Sequence, residues 1–318
     1  MAASPDSTPP RGGGRIPSVL RGILYMIVAT AAFMTMQTGI RHMTGELHPF
    51  VVGFFRTFLG LLWLTPWIVR IGPAAWRSAR PLIHIFRGTI NTVSMLCTFV
   101  ALSITPLAEV TALSFTAPLF ATLGAILFLG ERVRLRRWLA IGVGFLGALL
   151  ILRPGFAEVG LGPILMVVAS ALWAMALLII KLQSRTDSAV TIALYMGVVM
   201  SPLALAAAIP YWTWPDPGQF LMLAGIAALG TVGQLALNQS FREADATVVL
   251  PFDYLKLIWA TALGFLAFGE VPDAWTWIGG TVIFASTVYI AWREAKAKRN
   301  AKTRLGANTG QDGRSTTR

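Results

Sequence analysis

The chain has 318 residues, of which 55% are apolar and 13% charged, against about 25% charged in a soluble domain. That balance leaves too few polar side chains to clothe a soluble globule, and the apolar residues fall in long blocks rather than a scattered core. A net charge of +12 would suit a nucleic-acid binder, yet the Lys and Arg residues sit in short loops and tails without forming a basic face, so no nucleic-acid partner is expected.

Residues 1–21 are rich in Pro, Gly and Ser and lack the apolar core and cleavage site of a secretory signal; they read as a disordered cytoplasmic tail. Ten apolar blocks follow, near 22–40, 49–71, 81–103, 106–129, 137–152, 162–182, 189–210, 218–241, 247–269 and 275–292. Each approaches the about 20 residues a helix needs to cross a bilayer core. The fold expected is an all-α integral membrane protein with ten transmembrane helices. Residues 294–318 form a second polar, basic tail, suited to touching anionic lipid.

Orientation follows from the rule that cytoplasmic loops retain Lys and Arg. With the amino terminus inside, the inner segments receive Arg70, Arg77 and Arg80, then Arg132, Arg134, Arg136 and Arg137, then Lys181, Arg185 and Arg242. The outer loops hold little basic beyond Arg41 and Arg153, and carry Glu46, Glu158, Asp216, Glu270 and Asp273. Both termini are then cytoplasmic. Tyr211, Trp212, Trp214 and Trp275 form an outer aromatic belt, and a bacterial inner membrane is the expected location.

The chain repeats itself. LFLGERVRLRRWLAIGV at the end of the fourth block returns as LAFGEVPDAWTWIGGTV around the ninth, aligning Gly130 with Gly269, Glu131 with Glu270 and Trp138 with Trp277. Arg41 aligns with Lys181 at nearly the same offset. The halves are expected to span 22–155 and 156–293. Five crossings is an odd number, so the halves are expected to be inverted, an arrangement that places a transport site near midplane at the repeat interface.

The run PLAEVTALSFTAPLFATLGAILFLGERVRLRRWLAIGVGFLGALLILRPG, Pro106 to Gly155, resembles the EamA-type repeat of the drug/metabolite transporter superfamily, and a weaker copy fills the second half. The resemblance implies ten helices in two inverted repeats, a central cavity lined by the first four helices of each, and small organic molecules as cargo. PLAEVTALSF together with LPFDYLKLIWATALGFLAFGEVPD is similar to riboflavin and S-adenosylmethionine transporter-like members. That implies a vitamin, nucleoside-like or amino-acid-like substrate. Drug or amino-acid export by the same fold is the alternative; a non-transporting receptor or structural subunit is the alternative from another class.

Ionisable groups in membrane helices cost about 2.5 to 3.5 kcal/mol near the centre and are functional suspects by default. Arg56 lies about 10 Å in from Pro49 and Asp253 about 9 Å in from Thr247, with Lys256 close to midplane. Asp253 and Lys256, three apart, share a helix face and form either a structural ion pair or a pair that binds charged substrate groups. Glu109 is shallower, either complementing the dipole of its helix or binding substrate. Glu109 and Asp253 are also the candidates for a coupling proton or cation. The repeat offset puts Met196 opposite Arg56, Val248 opposite Glu109, Ser114 opposite Asp253 and Ala117 opposite Lys256, so the scaffold is duplicated while its charges are not.

Asn91, Gln234 and Asn238 are polar candidates on corresponding helices, with interhelical hydrogen bonding as the alternative role. Trp173, Tyr195 and Tyr254 are candidate aromatic walls, with packing as the alternative role; Gln37, Phe115 and Gln239 are weaker site candidates. Arg87 is expected to snorkel or to bind lipid phosphate. Pro118 and Pro251 interrupt corresponding helices and are candidate gating kinks. GVGFLG, Gly142 to Gly147, matches a dinucleotide fingerprint only in form, because no strand precedes it.

The single cysteine, Cys97, and the scattered His42, His48 and His84 offer neither metal-ligand spacing nor a nucleophile with its base. No enzyme activity, cofactor or metal is therefore expected. With no P-loop to couple ATP, secondary transport by alternating access is the function expected.

Overall fold

A computed structural model describes residues 18–78, 80–129, 135–152, 160–183, 187, 189–244, 249, 252–289 and 292. Residues 1–17, the carboxy-terminal tail, Pro251 and Glu131 lie outside them, as do the side chains of Lys181 and Asn238; residues 18–21, expected in the disordered amino-terminal tail, instead form the first turn of α1. Among the described residues all regular structure is helical: α1 Ser18–Met43, α2 Pro49–Ile71, α3 Pro81–Ile104, α4 Leu107–Ser114, α5 Ala117–Leu129 and α6 Leu135–Leu152. The order continues with α7 Leu161–Gln183, α8 Ala189–Ala208, α9 Pro217–Glu243, α10 Leu255–Phe268 and α11 over 274–289. Seven spans are long and apolar enough to cross a membrane, and shorter apolar helices cover Trp138–Leu152 and Leu255–Phe268.

Local chemistry sets the helix ends that frame the site. Asp216 opens α9 with a capping box: its side chain accepts from the Gln219 backbone N–H at 2.8 Å while the Gln219 side chain accepts from the Asp216 N–H at 2.9 Å, and Pro217 follows. Gly269 closes α10 at φ 67°, a left-handed conformation that a Cβ disfavours, with the Glu270 N–H returning to the Gly264 carbonyl. That reversal turns the Glu270 side chain back over the bundle.

One expectation needs correcting. The fourth block is not one continuous helix: it breaks at Phe115 and Thr116, whose N–H groups bond three residues back to Ala112 and Leu113. Pro118, two residues on, has no N–H for the Ser114 carbonyl, so the α ladder cannot run through this point. A turn at Tyr254 likewise precedes α10.

Side-chain contacts give the helix directions. Gly22 packs on Ala244, Phe33 on Gly233, Met36 on Gly230 and Gly39 on Ile226, so α1 and α9 run antiparallel. Arg87 reaches Ile192 and Asn91 reaches Met196, so α3 and α8 run parallel. Ser94 to Ala169 and Ile104 to Gly162 make α3 and α7 antiparallel.

The contacts also recur in pairs with the repeats exchanged. GILYMIVATAAF from Gly22 aligns with GPILMVVASALW from Gly162, an offset of 140, and NTVSML from Asn91 aligns with GTVGQL from Gly230, an offset of 139. Gly22 against Ala244 then returns as Gly162 against Thr105. Gly230 beside Arg56 returns as Asn91 bonded to Met196. The close approach of Gly147 to Gly279 returns as the Ser286 hydroxyl donating to the Ala140 carbonyl. Such exchange is the signature of a twofold axis between the halves, and α6 and α11 cross on it, where small residues let backbones meet.

Candidate functional site

On that axis lie the two helix breaks. Phe115, in the turn between α4 and α5, and Tyr254, in the turn before α10, hold counterpart positions, and their rings stand 4.4 Å apart at 37°. Tyr254 also packs edge-on against Phe284 at 3.8 Å. A membrane helix can interrupt its ladder only where protein or cavity re-satisfies the backbone, so both breaks sit in the protein's centre.

Asp253 and Lys256 flank this aromatic junction. Lys256 Nζ lies 2.5 Å from Asp253 Oδ1, with side chains 21% and 25% exposed, partly desolvated but not sealed. The same ammonium stands 5.6 Å over the ring of Phe33 on α1, within cation–π range. Phe33 in turn packs on Gly233. Arg56 approaches from α2: Nη1 lies 3.9 Å from Met95 Sδ, and a Cβ on Gly230 would stand 2.9 Å from Met36 Sδ and 3.7 Å from Arg56 Nη2. Gly230 and Gly233 therefore let α9 approach α1 and α2 while leaving room for the guanidinium.

Gln234 and Trp173 are the telling aromatic and amide. Trp173 shares its α7 face with Met166 and Ala169, 6% and 1% exposed, yet is itself 39% exposed. Gln234 lies one turn past Gly230 and two past Ala227, both buried, and is exposed. Both are exposed where the buried stretches of α7 and α9 end. Trp173 is the repeat counterpart of Phe33. Glu109 is half-buried in the first turn of α4, and Pro118 is exposed near the start of α5.

Other candidates are not brought to this centre. Tyr195 stacks on His84 at 4.6 Å and donates its hydroxyl to the Trp76 carbonyl at 3.0 Å, toward the end of the bundle where α3 begins. Asn91, 3% exposed, donates to Met196 Sδ at 3.5 Å between α3 and α8. Gln239 bonds Glu243 within α9; Gln37 is half-buried on α1. Arg87 corrects its expectation outright: it does not snorkel, being 1% exposed and donating Nη2 to the Ile192 carbonyl at 3.1 Å. Beside it His84 Nε2 pairs with Asp187 Oδ2 at 2.6 Å, both side chains sealed, and the Ser78 hydroxyl bonds the same oxygen.

Sequence reasoning missed Phe33, Phe284 and the His84–Asp187 pair. Carrying the repeat register back into the first helix from Trp173 would have found Phe33. Among the described residues no group of three His, Cys, Asp or Glu gathers as metal ligands.

A two-repeat helical bundle with opposite charges and aromatic rings at the axis between its halves defines a membrane transporter. The EamA-like transporter family matches residues 20–153 and again 160–292, so the chain belongs to that family. It is 29% identical over 276 residues to the "S-adenosylmethionine uptake transporter" of Rickettsia bellii, covering 87% of this chain and 95% of that one. It is 34% identical over 284 residues to the "Riboflavin transporter" of Rhizobium johnstonii, covering 87% and 93%, and 31% identical over 287 residues to that of Vibrio cholerae, covering 88% and 96%. A solved crystal structure superposes with a TM-score of 0.59 at 17% identity, over 86% of this chain and 96% of that one, a likeness of fold.

Proposed function

We propose that the protein is a secondary transporter carrying a small organic metabolite, of the vitamin, nucleoside-like or amino-acid-like class, across the bacterial inner membrane. In this reading ten crossings form two inverted five-helix repeats, 22–155 and 156–293, with both termini cytoplasmic. The directions of α1, α3, α7, α8 and α9 support the inversion, and the placement of Lys and Arg supports the orientation.

One observation carries the reading: the Asp253–Lys256 pair lies at the junction of the halves, beside the Phe115–Tyr254 contact and over Phe33, while the counterpart positions Ser114 and Ala117 are uncharged. Packing of this scaffold does not demand those charges. In transport Lys256 and Arg56 bind anionic or carbonyl groups, Asp253 binds a cationic group, and Phe33, Trp173 and Tyr254 stack on a flat ring. Asp253 and Glu109 are the groups placed to take a coupling proton or cation, and Pro118 and Pro251 are the kinks about which the helices gate. A substrate joining a flat heterocycle to polar or charged groups fits these functions.

The test is counterflow in proteoliposomes of purified full-length protein, with labelled S-adenosylmethionine and with riboflavin. Saturable counterflow of one of them, absent from empty liposomes, is the expected result. No counterflow of either, with folded protein in the membrane, overturns the substrate class.

A further inference from the structure

At the far end of the bundle from His84, one side chain gathers four segments of backbone. Arg41, in the last turn of α1, donates Nη1 to the Leu102 carbonyl at 3.0 Å and to the Thr105 carbonyl, and pairs Nη2 with Glu270. Glu270 Oε2 accepts the Leu107 N–H at 3.0 Å. The guanidinium also stands 5.1 Å over Phe268. Leu102 and Thr105 close α3, where carbonyls lack helical partners; Leu107 opens α4, whose preceding Pro106 supplies no side-chain cap. A cation thus meets the negative end of one helix and a carboxylate the positive end of the next.

Arg41, Leu102, Thr105 and Leu107 belong to the first repeat and Glu270 to the second. The carboxylate that caps α4 therefore comes from the other half, and any rocking of one half against the other at this end must withdraw it. Both side chains keep contact with water, at 16% and 18% exposure, so they can be resolvated when they part, unlike the sealed His84–Asp187 pair. At this end the halves are joined through Arg41 and Glu270; at the other, Arg21 pairs with Glu243 and His84 with Asp187, while Trp173 and Gln234 are exposed along α7 and α9.

We propose that Arg41 and Glu270 form the gate that closes the Arg41 end of the transport path, and that they separate to admit or release substrate there. The inference rests on the alternating-access reading above.

The experiment reads conformation without a substrate. In full-length protein carrying Cys97→Ser and Ser114→Cys, a membrane-impermeant maleimide is applied to right-side-out and to inside-out vesicles. The parent should label from the end opposite Arg41. Glu270→Gln should raise labelling from the Arg41 end several-fold, and Glu270→Asp, which keeps a carboxylate, should stay near the parent pattern. The proposal is overturned if the parent does not label from the opposite end. It is also overturned if a Glu270→Gln protein of parental helicity and melting temperature labels as the parent does. Saturable counterflow with unchanged labelling sinks the gate alone; shifted labelling without counterflow sinks the substrate reading alone.

Discussion

Phe115 and Tyr254 stand ring to ring at 4.4 Å, and each is the other's counterpart in the repeat. A contact between counterparts maps onto itself when the halves are exchanged, so it can lie only on the axis relating them. Phe115 is 5% exposed, and Phe115→Ala should cost about 3 kcal/mol, the low end for deleting a buried ring, read by unfolding in mixed micelles. Tyr254→Phe keeps both ring contacts and should cost under about 1 kcal/mol.

Neutralising one member of the Asp253–Lys256 pair leaves the other charge uncompensated. With a fifth to a quarter of each side chain exposed, Asp253→Asn or Lys256→Met should cost about 1 to 2 kcal/mol, less than the loss for a sealed pair. The double variant should regain that stability and still fail to transport. Wild-type counterflow in the double variant would assign the pair a structural role only.

The glycines of this bundle are not equivalent. A Cβ on Gly147 would meet the Gly279 carbonyl oxygen at 2.8 Å, a backbone atom that cannot step aside, whereas one on Gly230 would meet the flexible end of Met36 at 2.9 Å. Gly147→Ala should therefore destabilise by about 1 to 3 kcal/mol, and Gly230→Ala by well under half of that. Melting temperatures of the two variants in one detergent decide the ranking.

At the opposite end, His84→Leu would remove the ion-pair partner of Asp187 in a site where both side chains are at most 1% exposed, leaving the Ser78 hydroxyl bond. The expected loss is about 3 kcal/mol or more. Arg87→Leu should be far milder, because its counterpart in the second repeat is Ile226, 3% exposed at the matching position, and replacing a buried charge by a packed apolar group is often neutral. Equal losses for both variants would contradict this.

Apolar length and the GE-containing repeat made the helical, duplicated architecture legible, because membrane helices satisfy their backbone internally and so announce themselves by composition. The buried charges Arg56, Asp253 and Lys256 were legible for the same reason: each is expensive where it stands. Which way a side chain points along an all-apolar helix was not, since amphipathic period fades when both faces are greasy. Tyr195 and Trp173 looked alike in sequence, yet one stacks on His84 and the other is exposed on a packed face. Arg87 looked like an interfacial snorkel because its partner, the Ile192 carbonyl, is 105 residues away. Arg41 passed as a loop charge until the chain reversal at Gly269 brought Glu270 to it.

A duplicated scaffold with perfect twofold symmetry would hold its two facing states at equal free energy, because either state is the other turned over. Side chains that differ between counterpart positions remove that degeneracy. Arg41 fastens its end through a forked contact with two carbonyls and a carboxylate, against a lysine at the matching sequence position; if that contact is the gate proposed above, the resting protein faces away from Arg41. Asymmetry in a few side chains thereby sets a resting direction that the backbone by itself leaves undecided.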